Sequence, residues 1–238
     1  FTFVALTSSP PGMVDEARSF GWEGHWIPFD HHQRKRQMPL AFLGLLRLFR
    51  RLKPDAVHSH LFDDAVPGLM AARLAGVPVR VITKGDAGYH ARFAPLWSFA
   101  DRINNFNATH VVALSEESRR FIETVERCSP EKISTIHHGI PIEEFSNPAP
   151  ERISAFRKER GFGDRIVVGS VARFIEWKGY RLLCDVAARV LQTRPDVLFA
   201  WAGVGDQMSE MRRIVMEKGI GERVLFLGRL PEDEMPMF

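Results

Sequence analysis

The chain has 238 residues, 45% of them hydrophobic and 26% charged, which is the balance of a folded globular protein and excludes a disordered or fibrous one. A net charge of +3 and a pI near 9.1 suit an anionic substrate or an anionic surface and do not demand nucleic acid. No apolar run approaches the roughly 20 residues needed to span a bilayer, there is no signal peptide, and the two distant cysteines, Cys128 and Cys184, form no disulfide framework, so a reducing cytoplasm is expected.

Phe1 to Leu6 reads as a strand, Gly12 to Phe20 as a helix and His25 to Phe29 as a strand. Phe1 opens inside a strand pattern and Phe238 stops just after the helix-start signal Pro231-Glu232-Asp233-Glu234, so an internal fragment is expected. From Pro39 to Lys53, Phe42, Leu45, Leu46, Leu48, Phe49 and Leu52 share one side of a helix, and Arg47, Arg50 and Arg51 share the other. Arg34, Lys35 and Arg36 lie just upstream. Such a basic amphipathic helix can rest on an anionic membrane, where each cation contributes about 1 kcal/mol; packing on a sheet with a solvated face is the preferred reading.

Asp55 to His60 is the next strand and ends in His58-Ser59-His60, with Asp63 and Asp64 just beyond. Two histidines one residue apart point to the same side of a strand, a metal-ligand geometry that keeps a metal-dependent hydrolase in view. Leu69 to Leu74 is helical and Val79 to Thr83 is a strand, followed by the polar, glycine-rich turn Lys84-Gly85-Asp86-Ala87-Gly88, which should be open to ligand. Trp97 to Phe106 is a helix and His110 to Leu114 a strand, after which Ser115 caps a helix carrying Glu116 and Glu117 in its first turn. Ile133 to Ile136 is the last strand of this half and runs into His137-His138-Gly139-Ile140-Pro141. Ser146 to Pro150, SNPAP, is the linker, and divides a domain over residues 1–146 from one over 147–238.

After a helix from Glu151 to Arg160, Ile166 to Val171 is a nearly continuous apolar run, as expected of a parallel strand covered on both faces. Leu182, Leu183, Val186, Ala187, Val190 and Leu191 follow at helical spacing, Pro195 closes that helix, and Val197 to Ala202 is a second buried strand. In such βαβ units ligands sit beyond the carboxyl ends of the strands. Arg173, Lys178, Gly203 and Gly205 all fall there. Two cations beside a helix N-terminus suggest a phosphate or diphosphate ligand, and the glycines would let backbone come close to it.

The run GSVARFIEWKGYRLL...DVLFAWAGVGD...RVLFLGRLPEDEM resembles the donor-binding half of the retaining, GT-B-fold glycosyltransferases of family 4, and KPDAVHSHLFDDAVPGLMAARLAGVPVRVITKG and KISTIHHGIPIEEF resemble their acceptor half. The resemblance implies an α/β fold of two Rossmann-like, doubly wound parallel-sheet domains flanking a cleft, the first lacking its opening strand and glycine-rich loop and the second incomplete. It implies that His58, His60 and the turn with Lys84, Gly85 and Asp86 line the acceptor cleft, that Lys84 stands where many relatives place a His near the transferred sugar, and that a lysine there could contact phosphate or an acidic acceptor. His138 and Gly139 replace the usual Asn-Gly and should face the cleft, and backbone around Arg229 and Leu230 should lie near the nucleotide base.

The expected activity is transfer of a hexose-type sugar from a nucleoside-diphosphate sugar to a hydroxyl of a glycan or lipid-linked acceptor, with retention and without metal or cofactor. Arg173 and Lys178 would stabilise the departing diphosphate. The family's paired-glutamate motif would lie past Phe238, so the polypeptide as it stands is expected to be inactive or nearly so. A non-catalytic nucleotide- or glycan-binding module would keep the two cations and lack those glutamates.

Overall fold

Among the described residues every β-ladder is parallel, and the strands fall into three sheets. The structure is a computed structural model, and it describes all residues except 61, 86–87 and 89–94. The chain divides into two compact units, Phe1–Gly139 and Ile140–Phe238. This boundary precedes SNPAP and assigns the short helix Ile142–Ser146, which the sequence reading left in the first domain, to the second unit.

In the first unit β1 (Thr2–Thr7) pairs with β2 (Glu23–Pro28) around α1 (Gly12–Ser19), and a separate sheet runs in the order β3 (Ala56–Ser59), β4 (Val79–Lys84), β5 (His110–Ala113), β6 (Ile133–Thr135). Helices α2 (Arg34–Leu52) and α3 (Phe62–Leu74) join the two sheets into one core: Leu45, Phe49, Ala71 and Ala72 are buried against Val4 and Leu6 of β1, Ile27 of β2 and Val57 of β3. Helices α4 (Pro95–Asn107) and α5 (Glu116–Thr124) complete the unit, and Cys128 sits in the core with Leu69, Val111 and Ile122. Ser115 caps α5 as its sequence predicts, its hydroxyl accepting the Ser118 N–H at 3.1 Å.

Helix α2 buries Leu45, Leu48 and Phe49 and leaves Arg47, Arg50 and Arg51 in solvent, so packing on the sheets accounts for its pattern. It starts at Arg34, earlier than the sequence reading, with Pro39 inside it. Proline removes one N–H, and the carbonyl this strands is that of Lys35, an exposed residue whose carbonyl water can satisfy.

The second unit holds α6 (Ile142–Ser146), α7 (Pro150–Glu159), β7 (Ile166–Val171), α8 (Tyr180–Thr193), β8 (Val197–Ala202), α9 (Met208–Glu217) and β9 (Val224–Gly228), with the sheet in the order β7-β8-β9. All six residues of β8 are buried. Val197, Phe199 and Trp201 face a core with Tyr180, Cys184, Met211 and Val215, while Leu198, Ala200 and Ala202 face Phe156, Phe162 and Leu230. Period-two alternation into two apolar layers is why this strand reads as one unbroken apolar run. Among the described residues β7 stands at one side of the sheet with Ile166, Val168 and Val171 exposed, where the sequence reading expects cover on both faces.

Where β8 ends, Gly203 has φ +135°, and a Cβ there would lie 1.9 Å from the Ala172 carbonyl oxygen. One at Gly205 would lie 2.4 Å from the Phe174 oxygen. The neighbouring strand end by itself demands glycine at both positions. Gly203→Ala should therefore cost about 3 kcal/mol or more, whereas Gly139→Ala, at a site with open space and no positive φ, should be near neutral. Equal urea midpoints for the two variants would contradict this account.

Candidate functional site

Three adjacent strands of the second unit end on the residues that the sequence singles out. Arg173 follows β7, Gly203 follows β8 and Arg229 follows β9. Main-chain bonds tie these ends together: Ala172 N–H donates to the Ala202 carbonyl (3.1 Å), Phe174 N–H to Val204 (3.0 Å) and Gly203 N–H to Gly228 (2.6 Å). Beyond Arg173 a 3-10 turn, Glu176–Lys178, leads to Gly179, whose φ of +73° turns the chain into α8. Arg173, Lys178 and Arg229 are exposed, and none makes an ion pair among the described residues. Solvated cations without partners at the carboxyl edge of a parallel sheet can meet a polyanion without first breaking an internal bond. Leu230 differs from its neighbour, since its side chain is buried with Phe156 and Leu198 and only its backbone is left for contact.

The sequence reading missed what holds this edge in place. Phe174 and Tyr180 are both buried and stack with ring centroids 3.9 Å apart, and the Tyr180 hydroxyl donates to the Ala172 carbonyl at 3.2 Å. The fully buried Trp201 and the partly buried Phe226 flank the stack. The one legible signal was the aromatic at position 180, directly after Lys178-Gly179.

In the first unit His58 and His60 follow one another on the same side of the strand end, with ring centroids 4.2 Å apart. His58 Nε2 is 2.7 Å from Thr83 Oγ1. Their neighbouring aspartates serve other groups. Asp63 Oδ2 accepts from His31 Nδ1 (2.6 Å) and from Arg34 Nη2 (2.8 Å), its Oδ1 lies in ion-pair contact with Arg34 Nε, and Asp64 accepts the His60 main-chain N–H. Among the described residues no group of three or more His, Cys, Asp and Glu is arranged to hold a metal, so the hydrolase reading loses its site.

Lys84 departs from expectation. Its side chain is 5% exposed, and Nζ lies 2.5 Å from Glu126 Oε2 and 3.1 Å from Asp101 Oδ1, with Asn105 donating to the same Glu126 oxygen. A buried ammonium between two carboxylates is committed to the interior and is not offered to an acceptor. Gly85 and His138 are exposed, and the neighbouring His137, not His138, is anchored, by its ring on the Leu114 carbonyl. Gly139 is exposed as well, with no crowding or positive φ that requires glycine. Asp86 lies outside the described residues.

Residues 1–144 match the model of Glycosyltransferase Family 4, and residues 152–238 that of Glycosyl transferases group 1. The chain belongs to glycosyltransferase family 4. It is 28% identical over 239 residues to EpsF of Bacillus subtilis, covering 96% of this chain and 60% of EpsF. It is also 26% identical over 202 residues to the Escherichia coli UDP-Gal:alpha-D-GlcNAc-diphosphoundecaprenol alpha-1,3-galactosyltransferase, covering 79% of this chain and 50% of that enzyme. The chain thus spans about half to three fifths of these relatives. The structure of HepE from Anabaena in complex with UDP-glucose superposes with a TM-score of 0.76 at 22% identity, over 99% of this chain and 70% of HepE. At that identity the likeness bears on the fold, which is the parallel α/β GT-B fold of such transferases.

Lys84→Met removes the ammonium from the buried Glu126 and the partly buried Asp101 and should lower stability by about 3–5 kcal/mol; a loss under about 1 kcal/mol by denaturant titration would show that the triad is not closed. Burial, and then the neighbouring His60, hold His58 below its ordinary value of 6.5. The unfolded chain therefore binds this proton more tightly than the folded one, and the folded state loses stability as pH falls below about 6.5. His58→Gln should flatten the urea midpoint over that range, and an unchanged pH slope would refute the assignment.

Proposed function

We propose that the protein containing this chain transfers a sugar from a nucleoside diphosphate to a hydroxyl of a glycan or lipid-linked acceptor, in the cytoplasm, with retention at the anomeric carbon and without a metal. The observation that carries the reading is the pair of exposed, unpaired cations Arg173 and Lys178 at the carboxyl end of β7 in a family 4 chain. In the transfer the bond from the anomeric carbon to the diphosphate oxygen breaks and its electron pair goes to the diphosphate, the acceptor oxygen bonds to that carbon, and the hydroxyl proton is released. Negative charge grows on the leaving group, and preorganised cations beside it lower the barrier without a metal.

Support for a nucleotide-sugar donor comes from the HepE complex with UDP-glucose, and support for a lipid-linked acceptor from the E. coli relative, whose name specifies diphosphoundecaprenol. The two free, buried cysteines agree with a reducing compartment. Retention rests on the family resemblance alone.

In the full-length protein, Arg173→Ala or Lys178→Ala should lower donor turnover about 10²–10³-fold, with nucleotide binding by the unaltered protein insensitive to chelator. Turnover that is unchanged in both variants would refute the reading, and the anomer of the first-formed product, read by proton NMR, decides retention.

A further inference from the structure

We propose that Tyr180 is a positioning residue that sets the Arg173 and Lys178 cations for the diphosphate. The inference rests on the donor reading above and adds to it a group that touches no substrate.

The two cations lie on a loop between β7 and α8 and have no ion-pair partner among the described residues to fix them. What fixes the loop is its backbone, and Tyr180 holds it at both sides of Arg173. On one side the Tyr180 hydroxyl donates to the carbonyl of Ala172 at 3.2 Å, and no other donor reaches that oxygen among the described residues. On the other side the Tyr180 ring lies on the ring of Phe174 at 3.9 Å and 15° from parallel. Tyr180 is itself the first residue of α8, two positions after Lys178, so a single 1%-exposed side chain links the start of the helix, the residue before Arg173 and the residue after it.

The carbonyl it holds is the one that occupies the space of the missing Cβ of Gly203, and Phe174 is bonded through its own N–H to Val204 and through its carbonyl to Gln207 N–H. The hydroxyl therefore acts where the strand ends of β7 and β8 meet. Ring burial alone would be served by phenylalanine. A buried O–H aimed at a main-chain carbonyl next to an unpaired arginine adds direction, because loosening that carbonyl lets Arg173 sample orientations that the diphosphate must then select at an entropic cost.

The experiment is calorimetric titration of the natural full-length protein with UDP and GDP and with uridine and guanosine, for the unaltered protein, Tyr180→Phe, Arg173→Ala and the double variant. Tyr180→Phe keeps the stacked ring and removes only the hydroxyl. We expect it to weaken binding of the diphosphate that the protein prefers by about five- to tenfold and to leave binding of the matching nucleoside unchanged. The loss should vanish in the Arg173→Ala background, since coupling of this kind appears as non-additivity. An equal loss for nucleoside and diphosphate, or the same loss with and without Arg173, would overturn the proposal while leaving the donor reading intact. If the unaltered protein bound neither UDP nor GDP, the donor reading would fall and this inference with it.

Discussion

A carbonyl oxygen lodged where a side chain cannot be is the constraint on which the second unit depends. The Ala172 oxygen sits in the space that any Cβ at position 203 would fill, and this lets the ends of β7 and β8 run against each other through main-chain bonds on both sides of Arg173. The cations, the 3-10 turn and the start of α8 are all placed by that crossing. Residue identity acts here mainly by subtraction: glycine contributes by having nothing to put in the way.

Charge is used in two opposite ways along the chain. Lys84 is neutralised inside the first unit by Glu126 and Asp101, where low polarisability makes an unpaired ammonium costly and pairing nearly compulsory. Arg173, Lys178 and Arg229 stand in solvent, where leaving a cation unpaired costs little. The Asp63 cluster is intermediate: one carboxylate, 15% exposed, gathers His31 and Arg34 and ties the start of α2 to the start of α3. Which cation can serve a ligand is decided less by residue type than by whether the fold has already supplied it with a partner.

Much of this was legible in the residues, because period and punctuation report local structure. The six-residue apolar run of β8 and the Ser115 cap appear in the structure where expected, α2 buries Leu45, Leu48 and Phe49 of its stripe although it begins earlier than its pattern suggests, and Arg173 and Lys178 lie at the strand end where the βαβ reading puts them. Non-local pairing was not legible. Nothing near Lys84 in sequence announces Glu126, which lies beyond α4, β5 and α5. The crowding at Gly203 was not legible either, since a missing side chain looks the same in sequence whatever takes the space, and here the Ala172 carbonyl does.

The cysteines have a practical consequence. The chain contains two, Cys128 in the core of the first unit and Cys184 on the inner face of α8, and burial raises the pKa of both thiols. A thiol that is shielded and reluctant to ionise reacts slowly with maleimides and disulfide reagents. A cysteine introduced at an exposed site in either unit would be the fast-reacting thiol against that quiet background, so fluorophore pairs or spin labels could report the distance between the two units without removal of any native residue.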